Sequence, residues 1–149
     1  MASIRERYGE FFKQMASMSC AAAKIDETNV YQKANPGTKK IMDKLVSDNM
    51  TEDSHIEGVE NFKTFLELLK SGKSGLILME HYSNTDLPGL IWLLENRMGE
   101  EGRDLAQRIV AIAGMKLNEA DPMVRAFAES FTRVVIYPTR SLDSVSKKA

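Results

Sequence analysis

The chain has 149 residues, 43% of them hydrophobic and 28% charged, with 20 Lys and Arg against 21 Asp and Glu. A formal net charge of −1 leaves no basic excess for non-specific nucleic-acid binding. The single cysteine, Cys20, closes no disulfide within the chain, which excludes a disulfide-stapled secreted scaffold.

The first fifty residues read as helical. Tyr8, Phe11, Phe12, Met15 and Met18 fall at steps of three and four and mark one apolar face. Asn35-Pro36-Gly37 breaks that pattern, and Thr38 is placed to cap the helix that follows. Ile41/Leu45 and Met42/Val46 then repeat at helical spacing, and a polar connector covers residues 49–56. From about Glu57 a strong amphipathic helix carries Val59, Phe62, Leu66 and Leu69 on one face. Ser71-Gly72-Lys73-Ser74-Gly75 stops it. Its Gly-Lys-Ser lacks the glycine five positions earlier, where Glu67 stands, and follows a helix rather than a strand. It reads as a turn and not as a phosphate-binding loop.

After Gly75 the rhythm changes. Leu76-Ile77-Leu78-Met79 is a short continuous apolar run that predicts a strand buried on both faces. A polar loop from His81 to Asp86 leads into a Leu-rich helix to about Arg97, with Pro88 in its first turn and Gly99 and Gly102 punctuating its end. Residues 109–113 predict a second strand, 120–131 a helix with Pro122 near its start, and 133–137 a third strand. Strands alternating with helices predict an α/β fold: an N-terminal helical subdomain, residues 1–72, then the start of a mainly parallel sheet with flanking helices, residues 73–149. No apolar run approaches the ~18–20 residues of a membrane-spanning helix. The reading is of a soluble chain with at most peripheral membrane contact through its amphipathic helices.

The stretch richest in chemistry runs Met79-Glu80-His81-Tyr82-Ser83-Asn84-Thr85-Asp86. A histidine leaves a predicted strand end, where open α/β sheets bind ligands. Its unperturbed pKa of about 6.5 suits general-base work. A carboxylate on one ring nitrogen fixes the tautomer and stabilises the imidazolium, and a loop that folds back brings Asp86 to His81. Against this, Asp86 ahead of Leu87-Pro88 is a very good helix N-cap, which alone explains it, and spacing alone favours reading His81 as a polar strand-end residue. Ser83 lacks the Gly-x-Ser-x-Gly elbow of a serine hydrolase. The only other histidine, His55, sits in a polar loop, and no spacing resembles a zinc site.

His81-x4-Asp86 directly after the apolar run resembles the His-x4-Asp motif of glycerolipid acyltransferases. Residues 76–95, LILMEHYSNTDLPGLIWLLE, are similar to the corresponding region of soluble, plastid-type glycerol-3-phosphate acyltransferases. Val-Ala-Ile-Ala-Gly, Asp121-Pro122, Phe127 and the strand ending Val-Ile-Tyr continue the likeness, which covers roughly residues 75–140. Two departures are Glu80, where the family often has asparagine, and Pro138-Thr139-Arg140-Ser141, which echoes the family's Pro-Glu-Gly-Thr-Arg without Glu-Gly.

The resemblance implies that His81 deprotonates a hydroxyl of glycerol 3-phosphate and that Asp86 orients His81. The hydroxyl then attacks the thioester of acyl-carrier-protein or acyl-coenzyme A, a co-substrate, and no metal or resident cofactor is implied. Arg140, whose planar fork suits phosphate, is the candidate for the substrate phosphate, set against an ordinary solvated charge. The resemblance further implies a location in the cytoplasm or plastid stroma, and a chain corresponding to the N-terminal portion of such an enzyme. The rival expectations are acylation of a lysophospholipid or another alcohol, hydrolysis of acyl thioesters, and a catalytically incomplete fragment serving as an interaction module.

Overall fold

The computed structural model describes residues 4–20, 25–119 and 121–137. The chain is α/β, as its alternation predicts, and it divides into two compact units: residues 1–42 with 110–149, and residues 43–109. The boundary expected at 72/73 falls inside the second of these.

In the first unit, α1 (Ile4–Met18) buries Tyr8 and Met15 of the apolar face read from its sequence, whereas Met18 at its end is exposed. It packs against α7 (Pro122–Glu129), where the rings of Phe12 and Phe127 lie 5.9 Å apart. Asp121 caps α7, its carboxylate accepting the Met123 amide at 2.8 Å, and Pro122 takes the first helical position, where no amide donor is needed. A four-residue helix, α6 (Lys116–Glu119), precedes it. Helix α2 (Pro36–Ser47), which begins in this unit and has its residues from Asp43 onward in the second, starts two residues before the expected cap. Asn35 is the residue that caps it, accepting the Gly37 amide at 2.9 Å, while the buried Thr38 hydroxyl donates back to the Asn35 carbonyl.

The sheet has three strands in the order β1-β3-β2: β1 (Tyr31–Gln32), β3 (Arg133–Ile136) and β2 (Ala111–Gly114). Two of the three predicted strands are present and pair in parallel, Ala111 opposite Arg133 and Gly114 opposite Ile136. The third member comes from the region read as wholly helical: β1 pairs antiparallel with β3, Tyr31 opposite Val134, so the sheet is mixed. Its covered side holds Ile25, Met115 and Val135, with the Tyr137 hydroxyl donating to the Ile25 carbonyl at 2.6 Å. Beside this core the Glu129 carboxylate, nearly fully buried, accepts the Ser19 hydroxyl, the Cys20 amide at 2.8 Å and the Asn35 side-chain amide at 3.3 Å. It ties the segment after α1 to the end of α7.

The predicted strand at 76–79 is not one. Residues 73–82 carry no regular secondary structure, and Leu76 and Leu78 are 68% and 84% exposed. The composition of the run favours extended backbone, but a buried strand is completed only by neighbours that close its ladder and cover its faces. Among the described residues no strand pairs with it.

The second unit is helical. In α3 (Val59–Lys70) Leu66 is buried and Gly58 holds the left-handed N-cap position, φ 68°. Helices α4 (Asp86–Arg97) and α5 (Gly99–Arg108) pack closely, burying Ile91, Leu94, Leu105 and Ala106. The glycines expected to punctuate α4 instead begin and lie within α5. Gly99 takes φ 69° at the reversal. Gly102 sits so near α4 that a Cβ on it would fall 2.0 Å from the Leu94 carbonyl oxygen. Ion pairs join α3 to α5, Lys63 to Glu101 at 3.7 Å and Lys70 to Asp104 at 3.0 Å. Among the described residues no helix is long and apolar enough to cross a membrane.

Candidate functional site

The loop from Glu80 to Thr85 folds back over the start of α4, and this brings together the two residues singled out in the sequence. His81 Nδ1 lies 3.0 Å from Asp86 Oδ2. The helix explains the placement of Asp86. Its α4 position is the first helical residue, not the N-cap the sequence suggested; Thr85 occupies the cap position and its side chain makes no capping bond. The carboxylate instead reaches back, Oδ2 accepting the Ser83 amide at 2.8 Å and Oδ1 the Ser83 hydroxyl at 2.9 Å. The bond to the Ser83 amide is the acidic half of a capping box, made here from the first helical residue and without the reciprocal half, because the Asp86 amide donates to the Ser83 backbone carbonyl at 3.3 Å. Negative charge at this end also complements the helix dipole. Pro88, buried in the first turn, has no amide to leave unpaired.

The Ser83 amide, with further donation from the Ser83 hydroxyl, His81 and the Tyr82 amide, holds the Asp86 carboxyl below its ordinary pKa, against a smaller opposing effect of partial desolvation. Asp86 is therefore ionised at neutral pH and accepts only. It follows that the proton between it and His81 sits on Nδ1, leaving the lone pair of the neutral ring on Nε2. Among the described residues nothing bonds that nitrogen, and the His81 side chain is 75% exposed against 19% for Asp86. Glu80, next to the histidine in sequence, accepts the Tyr82 hydroxyl, and this bond keeps the Tyr82 phenol protonated to above its usual range.

Ser83, weighed in the sequence only as a hydrolase nucleophile, and Thr85 are contributors that the sequence did not predict. The signal was the Ser-x-x-Asp spacing of residues 83 and 86, which marks a capping box as clearly as it fits an acyltransferase loop. Arg140, expected at the substrate phosphate, lies outside the described residues. His55 takes no part: its Nδ1 approaches the Asp53 carbonyl at 2.6 Å in a separate loop. Among the described residues no cluster of three or more His, Cys, Asp or Glu is arranged to hold a metal ion. A shallow cleft of about 430 Å³ on the second unit is walled by Asp43, Lys44, Asp48, Trp92 and Glu95, and His81 and Asp86 do not line it.

Comparison of the chain with protein-family models, with curated proteins and with solved structures gives no match.

Proposed function

We propose that the chain carries the base of an acyltransferase that moves a fatty acyl group from an acyl thioester to a hydroxyl of glycerol 3-phosphate. The single observation that supports this reading is the 3.0 Å approach of His81 Nδ1 to Asp86 Oδ2 in a His-x4-Asp loop. His81 Nε2 takes the proton of the acceptor hydroxyl as its oxygen forms a bond to the thioester carbonyl carbon. The tetrahedral intermediate collapses with cleavage of the carbon–sulfur bond. The imidazolium returns its proton to the departing thiolate, so His81 ends as it began and the products are a lysophosphatidate and a free thiol. Asp86 stays ionised and stabilises the imidazolium between the two steps.

The acyl donor is acyl-carrier-protein or acyl-coenzyme A, and Arg140 is the phosphate contact in this reading. An N-terminal helical part, a mainly parallel sheet and a soluble location in the cytoplasm or plastid stroma belong to the same proposal.

A second reading has its own support. Leu76 to Met79, just before the histidine, is exposed and unpaired, which fits an interaction module that keeps the motif without the activity. The test is acyl transfer from a labelled acyl thioester to glycerol 3-phosphate by the intact chain and by His81→Ala. Labelled lysophosphatidate from the intact chain, abolished in the variant, is the expected result. No product from a chain that circular dichroism shows to be folded would favour the interaction module. Loss of thioester without acylated product would point to a hydrolase, and activity surviving His81→Ala would overturn the mechanism.

A further inference from the structure

The hydroxyl and the amide of Ser83 converge on Asp86 beside His81, and the donor and acceptor roles in this cluster fix one another. An ionised carboxylate only accepts, so the Ser83 hydroxyl must donate its one proton to Asp86 Oδ1, 2.9 Å away. Its oxygen is then free to accept, and two donors reach it: the Thr85 amide at 3.1 Å and the Thr85 hydroxyl at 2.7 Å. The Ser83 amide holds the other carboxylate oxygen, Oδ2, at 2.8 Å, the oxygen that also meets His81. One residue thus grips both oxygens of Asp86 and leaves the carboxylate no free rotation about its terminal bond.

We propose that Ser83 is the positioning residue of the His81–Asp86 pair, with Thr85 orienting the Ser83 hydroxyl from behind. The inference rests on the acyltransferase reading for its catalytic consequence, but not for its geometry. His81 is largely exposed, so no packing holds its ring. The ring stays in the tautomer with the proton on Nδ1 only while a fixed acceptor faces that nitrogen. A carboxylate swinging freely at a helix end would meet the ring part of the time and water the rest. Gripping both oxygens converts an occasional contact into a standing one, which is the function of supporting hydrogen bonds around a reactive group. Removing the hydroxyl alone leaves the backbone bond to Oδ2 in place, so the helix start survives while the carboxylate loses one of its two restraints.

The experiment compares the full chain with Ser83→Ala and Ser83→Thr. Nitrogen-15 NMR reads the His81 tautomer at a pH where the ring is neutral, and carbon-13 NMR reads the titration of the Asp86 carboxyl. Ser83→Ala is expected to spread the proton over both ring nitrogens and to move the Asp86 titration upward, with helix content unchanged by circular dichroism. Ser83→Thr, which keeps the hydroxyl, is expected to restore both signals. In the acyl-transfer assay Ser83→Ala should lower kcat about tenfold, the scale of one lost hydrogen bond to a charged group, with KM for glycerol 3-phosphate unchanged. A wild-type tautomer and titration in Ser83→Ala, or no rescue by threonine, would overturn the proposal. If the intact chain transfers no acyl group, the acyltransferase reading fails, and the two NMR signals still decide the role of Ser83.

Discussion

Asp86 meets His81 with Oδ2, the same carboxylate oxygen that accepts the Ser83 amide at the start of α4. Helix start and candidate base are therefore built on one atom, and a substitution at Asp86 separates the two roles by what it retains. Asp86→Asn keeps one oxygen to accept His81 and the Ser83 amide, turns an NH2 group toward the Ser83 hydroxyl, and removes the charge that stabilises an imidazolium. It should melt a little below the wild type, and should lose roughly 10²–10⁴-fold in acyl transfer, the contribution typical of a positioned acid–base group. Asp86→Ala removes the acceptor as well and should melt lower still, because the Ser83 amide and hydroxyl then lose their partner. Thermal melts and initial rates on the two variants check both halves.

Acid should weaken the second unit over a defined window. The Arg108 side chain, donating at 2.7 Å, and Lys70 at 3.0 Å hold the Asp104 carboxyl below its ordinary pKa, as the Ser83 amide does for Asp86. A carboxyl whose folded pKa is depressed binds fewer protons folded than unfolded, so stability rises with pH between the two values. The stabilisation is complete above the unfolded value of about 3.9 and is lost as pH falls through the depressed folded values. Urea midpoints should be flat from neutral pH down to about pH 5 and then decline. Asp104→Asn and Asp86→Asn should each flatten part of the decline. Added salt should shrink the Asp104 share, which depends on charged partners, more than the Asp86 share, which depends mainly on amide donors. A decline unchanged in both variants would assign the acid sensitivity to other carboxyls.

Gly102 is held by space and not by backbone angle. A Cβ there would meet the Leu94 carbonyl oxygen at 2.0 Å and the Met98 Cβ at 2.6 Å. Neither neighbour is the movable end of a side chain, so α5 would have to shift off α4. Gly102→Ala should destabilise by about 1–3 kcal/mol, the common cost of overpacking, despite alanine's better helix propensity. Gly9 in α1, where a Cβ meets nothing within 4 Å, is the control: Gly9→Ala should stabilise by about 0.4–1 kcal/mol. Denaturant melts of the two variants should therefore move in opposite directions.

Much of this was legible in the sequence wherever one helix decides its own fate. Tyr8 and Met15 on α1, Ile41/Leu45 and Met42/Val46 on α2 and Leu66 on α3 are buried as their three-and-four spacing requires. The His81–Asp86 contact was legible too, because a helix start and a short loop leave a five-residue separation few other ways to close. Less local features were hidden. Tyr31-Gln32 is too short to show alternation, and it is a strand only because β3 offers it an edge. Gly99 and Gly102 look alike as letters; one serves a left-handed reversal and the other a close approach, and only the packing of α4 on α5 separates them.

The run at 76–79 is where local composition and observed structure diverge most, and it gives the sharpest test. Leu76, Leu78 and Tyr82 are largely exposed, Met79 less so. With no ladder to protect them, the amides of residues 76–79 should exchange within seconds, while those of the α4 interior persist. An exposed apolar stretch of this kind should bind a hydrophobic dye such as ANS. Replacing Leu76 and Leu78 together with serine should lower the dye signal and improve solubility. It should move the unfolding midpoint by less than about 0.5 kcal/mol, because surface positions that contact little contribute little. A buried strand predicts the opposite: slow exchange, little dye binding, and a loss of about 2–5 kcal/mol for each leucine removed from a core. Hydrogen exchange on the intact chain, with melts of the double-serine variant, decides between an exposed arm ahead of His81 and the inner strand that its four apolar residues spell.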